Sequence, residues 1–215
     1  DLHSFPTRRS SDLLVHKSKT IAVLANKASQ AEEILLRIKN AYIKLPLWLQ
    51  QGLVKWNNGE ITMENETKIF TGASSSSSVR GKSIDLLLVD EFAFIDDNMA
   101  EKFMQSVFPT QAAKKDAMMI LISTPKGMNH FYNIWTKAVA GKNSFIPCKI
   151  QWFEVEGRDE AWLQKQIRDN GEQFVNQEYK CLTGDARVTV EYDNGLVQEM
   201  TLEELYLLEQ EQLAS

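Results

Sequence analysis

Cysteine is nearly absent from this chain. Two residues among 215, Cys148 and Cys181, are too few for a disulfide framework and fit a reducing compartment. Histidine occurs three times, and no Cys/His spacing builds a zinc site. No apolar run is long enough to span a membrane, no signal peptide is visible, and no internal repeat points to a solenoid. A basic excess is also missing: 24 Lys and Arg against 29 Asp and Glu give a net charge of -5, which argues against a strongly basic nucleic-acid binder.

What is present is ordinary globular composition, 43% hydrophobic and 25% charged, enough for one good core and a small second unit. The charge is unevenly spread. Residues 181–215 hold eight acids (Asp185, Glu191, Asp193, Glu199, Glu203, Glu204, Glu209, Glu211) against one base, Arg187, a net of -7. Residues 1–13 balance two Arg with two Asp, which leaves residues 14–180 at about +2. The start, DLHSFPTRRSSDL, has no hydrophobic period and resembles the conceptual translation of a DNA-sequencing adapter. It is read as an assembly scar outside the fold, with the expectation that the natural frame starts further upstream.

From Lys19 the chain reads as alternating strands and helices. KTIAVLAN is a buried strand, and Ser29 is expected to cap a helix whose apolar face is Ala31, Ile34, Leu35, Ile38 and Tyr42, ending before Pro46. Residues 53–73 read as strand, turn, strand around Asn58-Gly59. Ser74 to Ser78 form a loop, IDLLLVDEFAFI carries an interior parallel strand, and a helix covers 97–107. MMILISTP is another buried strand, with Met118 and Met119 in the core, and NHFYNIWTKAVAG another helix. The pattern implies an α/β domain with a largely parallel sheet. Trp48, Trp56, Trp135, Trp152 and Trp162 are read as packing residues and Cys148 as a small buried side chain, while Lys126 and His130 face either DNA or solvent, solvent being the simpler reading.

Leu86 to Val89 deliver two adjacent acids, Asp90 and Glu91, to the C-terminal edge of a buried strand. Open α/β sheets bind ligands there. In nucleoside triphosphatases the first such acid holds Mg²⁺ through its waters, and the second orients and polarises the attacking water. Side chains alternate along a strand, so two neighbouring acids need a bend to serve one phosphate. Ser123 and Thr124, just before Pro125, are placed to sense a γ-phosphate. Arg80, ten residues before Asp90, is a candidate arginine finger, in its own subunit or a neighbour's. Neither Arg80-Gly81-Lys82-Ser83 nor Lys17-Ser18-Lys19-Thr20 is a phosphate loop. The first has Ser76 where the leading glycine belongs, the second has no glycine, and both run into strands rather than opening a helix.

LANKASQAEEILLRIKNAYIKLPLWLQQGLVKWNNGEI, GASSSSSVRGKSIDLLLVDEFAFID and ILISTPKGMNHFYNIWTKAVAGKNSF, in that order, resemble the ATPase domain of the large terminase subunits of tailed phages, over about residues 19–180. The resemblance implies a P-loop NTPase-type (ASCE) fold over 14–155, with the phosphate loop missing upstream, and a helical connector over 156–180 leading toward a nuclease. It implies ATP and Mg²⁺ as cofactors, Asp90 as the metal acid of a Walker B pair and Glu91 as the catalytic carboxylate. It further implies Ser123 and Thr124 as the coupling motif and Arg80 at the finger position. The implied partners are double-stranded DNA, a portal protein and the small terminase subunit, in a homo-oligomeric ring on the prohead. No membrane is involved, and the setting is the host cytoplasm. Without a phosphate-loop lysine this polypeptide is expected to hydrolyse ATP negligibly. A helicase-like ATPase is the alternative, but the motifs of a second motor domain are not found.

At Cys181 the resemblance stops. CLTGDARVTVEYDNGLVQEMTLEELYLLEQEQ resembles the start of an intein: cysteine first, then strand, Asp193-Asn194-Gly195 turn, strand and acidic helix. The resemblance implies that Cys181 attacks the Lys180 carbonyl. The later intein blocks are absent, so 181–215 is either cut short or the N-terminal half of a split intein, whose partner would be a C-terminal half.

Overall fold

Thr20–Ala25 forms β1, and all but its first residue is buried. It sits inside the sheet because both neighbours pair with it in parallel: β4 (Lys68–Ala73) on one side and β5 (Leu86–Val89) on the other. β6 (Met118–Leu121) continues the parallel run beside β5. On the far side β3 (Glu60–Met63) runs antiparallel to β4, and β2 (Leu53–Asn57) antiparallel to β3. The order is therefore β2-β3-β4-β1-β5-β6. This computed structural model describes residues 18–112, 114, 116–180, 187–191, 197–201, 204 and 208. The chain divides into two compact units, Asp1–Ser123 and Thr124–Ser215.

In the first unit, α1 (Ala28–Ile43) packs Leu35 and Tyr42 on Ile21 and Val23 of β1 and on Ile61, Met63 and Ile69. That is the apolar stripe expected from spacing. The helix starts earlier than expected, however. Lys27 is the capping position, its N–H bonded to Gln30 Oε1 at 3.0 Å, so Ser29 stands in the first turn and does not cap. Alternation along the strands sends Ala22, Leu24, Leu87 and Val89 to the other face, where they too are buried.

Residues 53–73 make three strands, not two. Asn57 Oδ1 accepts the Gly59 N–H at 3.0 Å and closes the first turn. Asn65 Oδ1 accepts the Thr67 N–H at 3.0 Å and closes a second, with Glu66 at φ 67. The serine run is not all loop: Ser76–Val79 is a helical turn. α2 spans Asp97–Ala112, past the expected end and through Pro109. Its Phe103 is buried 6.3 Å from the Phe92 ring.

Two packing expectations need correction here. Met118 is 37% exposed because β6 is an edge strand rather than an interior one. Trp48 is 81% exposed, since its short turn, Leu47–Leu49, stands outside the core.

In the second unit α3 (His130–Val139) is capped by Asn129, whose Oδ1 accepts the Tyr132 N–H at 3.1 Å. α4 (Glu160–Asn170) is capped in the same way by Asp159 and ends at Gly171. Within the expected connector, Trp162 stacks on Trp152 at 6.3 Å and meets Tyr179 edge-on at 4.9 Å, with the Arg158 guanidinium 4.8 Å from the Trp162 ring. Cys148 is exposed, not buried. β7 (Arg187–Glu191) and β8 (Val197–Thr201) form an antiparallel pair. Cys181, the Asp193-Asn194-Gly195 turn and nearly all of the expected acidic helix lie outside the described residues.

Candidate active site

The apolar run of β5 ends at Val89, but its pairing goes one residue further: the Asp90 N–H donates to Leu24 O at 2.8 Å. The backbone then turns sharply. Glu91 lies at φ 53, ψ 38, a left-handed conformation that costs a residue with a Cβ about 1–2 kcal/mol. This is the bend that two adjacent acids require.

The surroundings hold that conformation in place. The Phe92 N–H donates to Ile122 O at 3.1 Å, and the Ala93 N–H to Ser123 Oγ at 3.1 Å. The Phe94 N–H returns to Glu91 O at 2.9 Å. Ser123, at the end of β6, thus ties the neighbouring strand to the segment that follows the acids. Gln30 Nε2 donates to Glu91 Oε2 at 2.7 Å, while Gln30 Oε1 takes the Lys27 N–H. One amide side chain therefore joins the start of α1 to the second acid.

Asp90 is half-buried, and one of its oxygens, Oδ1, accepts the Glu91 N–H at 3.0 Å. Burial pushes its carboxyl above the ordinary range, and the charge of Glu91 adds to this. The Glu91 N–H and the Arg37 guanidinium pull the other way without winning.

Gln30, Asp90, Glu91 and Ser123 are thus linked at the C-terminal edge of the parallel strands. Arg80 is not part of that group. It is exposed, its Nε lies 3.4 Å from Ser106 Oγ on α2, and among the described residues it bonds neither acid. Thr124 opens the second unit.

Neither lysine-containing sequence run forms a phosphate loop. Lys82 rests 4.0 Å from the Phe70 ring and donates to Ser78 O, and β5 rather than a helix follows Ser83. Lys19 lies at the opposite, N-terminal edge of the sheet, 3.4 Å from Asp85, which also takes Lys114 at 2.6 Å and the Thr20 N–H at 2.7 Å. Burial alone would raise Asp85, but Lys114, the Thr20 N–H and Lys19 outweigh it and hold the carboxyl below its usual range.

Gln30 and Arg37 were not anticipated as site residues. Gln30 meets Glu91 across 61 positions of sequence, and no local motif announces such a pairing. Among the described residues no three His, Cys, Asp or Glu side chains gather as a metal cage, and no helix is long and apolar enough to cross a membrane.

A family model described as terminase large subunit, T4likevirus-type, N-terminal, matches residues 8–205. The match overlaps the expected N-terminal scar and crosses the expected boundary at Cys181. Solved structures with the same fold include the large terminase ATPase domain of Thermus phage P74-26, at TM-score 0.56 and 17% identity, covering 83% of this chain and 84% of that one. The large terminase of bacteriophage HK97 is similar at TM-score 0.57 and 14% identity, over 86% of this chain and 52% of that one. The large terminase of a thermophilic bacteriophage, solved in complex with ADP, is similar at TM-score 0.58 and 12% identity, over 84% and 44%. At these identities the likeness is one of fold.

Proposed function

The chain belongs to the T4likevirus-type terminase large subunit N-terminal family, the ATPase of a viral DNA-packaging motor, and on that premise we propose that the linked acids after β5 are its hydrolytic centre. The observation that carries the proposal is the left-handed turn at Glu91, with its carboxylate held at 2.7 Å by Gln30. Strain of this kind persists where surrounding structure fixes it, and it concentrates at active sites.

In this reading Glu91 accepts a proton from the attacking water. Asp90 is the acid for a nucleotide-bound Mg²⁺. Its Oδ2 accepts no hydrogen bond among the described residues, and burial raises its carboxyl more than the Glu91 N–H and Arg37 lower it. One carboxylate beside a triphosphate suits Mg²⁺, which keeps several waters and shares its coordination with phosphates. When bound, the ion would neutralise charge on the β- and γ-phosphates. Ser123 reports the state of the site to β6 through the Ala93 N–H, and Thr124 continues that motif. Arg80 serves as the finger toward a phosphate outside the hydrogen-bonded group.

ATP hydrolysis then drives movement of double-stranded DNA, in a ring of copies on the prohead with portal protein and small terminase subunit, in the host cytoplasm. The outer edge of β6 is open for a further parallel strand among the described residues, and hydrolysis needs a phosphate loop, which neither lysine-containing run among the described residues supplies. Residues 14–155 make up the motor domain and 156–180 the connector.

The test restores an upstream strand and phosphate loop in one chain and measures ATP turnover. Glu91→Gln is expected to lower it at least roughly 10²-fold; an unchanged rate removes Glu91 from the role.

A second reading concerns residues 181–215 alone. Their strong acidity and the self-contained β7–β8 pair favour an intein start with Cys181 as nucleophile.

A further inference from the structure

Leu36 and Ile43 stand on one flank of α1, three positions before and four after Lys39, spacings that make neighbours on a helix surface. Lys39 identifies that flank as the one beside β2: its Nζ donates to Asn57 O at 2.6 Å and lies 5.3 Å from the Trp56 ring. The chain beyond the helix stays close. The Gln50 amide donates to Leu45 O at 2.8 Å and to Ile43 O at 3.4 Å, which holds the turn Leu47–Leu49 at the helix end. Leu36 is more than half exposed, Ile43 63% and Leu47 85%, and Trp48 stands out beside them. These four side chains leave on the order of 600 Å² uncovered, the upper end of what a monomer shows and, with the polar atoms around them, close to one side of a standard interface. The adjoining edge of β2 is guarded against strand addition. It is bulged between Leu53 and Lys55, and Lys55 pairs with Glu60 at 2.9 Å. The helix flank, not the strand edge, is the open element.

We infer that this flank of α1 is the contact of a two-fold dimer, its occupant a second copy of this chain. Asn40 argues for a copy over an unlike partner. It is exposed between Leu36 and Ile43, and the three residues at i, i+4 and i+7 form one stripe. In an antiparallel pair of α1 helices, Leu36 of each copy meets Ile43 of the other, and the two Asn40 amides face each other at the centre. An amide is donor and acceptor together, so it satisfies its own kind. A lone polar residue in an apolar seam also fixes the register. The cation on that flank, Lys39, is buried and already held by Asn57 and Trp56, so no like charges meet. Leu47 and Trp48 extend the contact past each helix end. Such a contact uses one face on both copies, whereas in a ring each copy meets its neighbours through two different faces. The inference is therefore independent of the ring proposed above.

The experiment measures the mass of the full chain by analytical ultracentrifugation over about 1–100 µM. A dimer that forms with rising concentration is expected. Ile43→Lys should raise its dissociation constant at least roughly 10-fold, with an unchanged circular dichroism spectrum because the side chain is exposed. Position is tested with a short bismaleimide in a chain carrying Cys148→Ser and Cys181→Ala, which removes both native thiols. Asn40→Cys should cross-link to a dimer. Ala41→Cys, also exposed but about 100° further round the helix, should not. A monomer at every concentration overturns the inference and leaves the face to an unlike partner. A dimer that Ile43→Lys leaves unchanged overturns it too, and so does equal cross-linking from Asn40→Cys and Ala41→Cys. Glu91→Gln should dimerise as the wild type does, so the outcome here is separate from the turnover test.

Discussion

Asp90 has a carboxyl raised first by burial and then by the Glu91 charge, and this has a thermodynamic sign. A group that holds its proton more tightly in the folded chain loses stability as pH rises from its unfolded value through its folded one. Asp90→Asn keeps an oxygen for the Glu91 N–H and removes the buried charge. The variant is expected to match the wild type at a pH below the ordinary carboxylate range, and to melt higher at pH 7. Thermal melts across pH check this; a variant that melts lower at pH 7 would mean the carboxylate is stabilised where it stands.

Gln30 gives a second prediction at this scale. It is a positioning residue, because it acts through Glu91 rather than on substrate. Gln30→Ala removes both the 2.7 Å bond to Glu91 and the acceptor for the Lys27 N–H, with a loss of about 1 kcal/mol in helix capping. In a chain with a working phosphate loop, kcat should fall roughly 10-fold while ATP affinity holds, the signature of an interaction needed only in the transition state. A fall in affinity alone would make Gln30 a nucleotide contact instead. Glutamate at the same position is expected to be worse, since it places a second negative charge against Glu91.

Among the elements, β1, β5 and α1 were legible because their patterns are long and unambiguous: apolar runs for two interior parallel strands, and a stripe at helical spacing. The edges were not. β3 and β4 read as one strand because the turn between them has no glycine or proline and depends on the Asn65 side chain. α2 continues through Pro109, which sequence reasoning treats as a stop. The bend at Glu91 was legible from the geometry of adjacent acids, but its clamp by Gln30 was not, being a contact between distant elements.

The opposite edge of the sheet has its own device, Asp85 between Lys19, Lys114 and the Thr20 N–H. It joins the starts of β1 and β5 to the loop before β6. Asp85→Ala should cost about 1–3 kcal/mol at pH 7 by denaturant melts. Because the folded carboxyl is depressed, its contribution is full above the ordinary aspartate value and fades as pH falls toward the folded one. The gap between variant and wild type should therefore narrow on acidification, and a gap independent of pH would mean that packing, not charge, is what Asp85 supplies.

At the scale of the whole chain the main asymmetry is electrostatic: about +2 over residues 14–180 and -7 over 181–215. A body destined for DNA profits from shedding such a tail, since carboxylates near a phosphate surface slow association. The proposed chemistry at Cys181 would shed it. Cys181 Sγ attacks the Lys180 carbonyl carbon, the C–N bond breaks, and the freed amine takes the thiol proton, leaving a thioester. An added small thiol then displaces Cys181 Sγ by attacking the same carbonyl. Residues 1–180 leave as the new thioester and residues 181–215 leave with a free N-terminal cysteine. Incubating the full chain with excess thiol at pH 8 and weighing the products by mass spectrometry should find those two masses, and Cys181→Ala should abolish them. If the chain stays whole with thiol although β7 and β8 remain paired, Cys181 simply opens an ordinary hairpin, and the acidic segment stays with the motor domain.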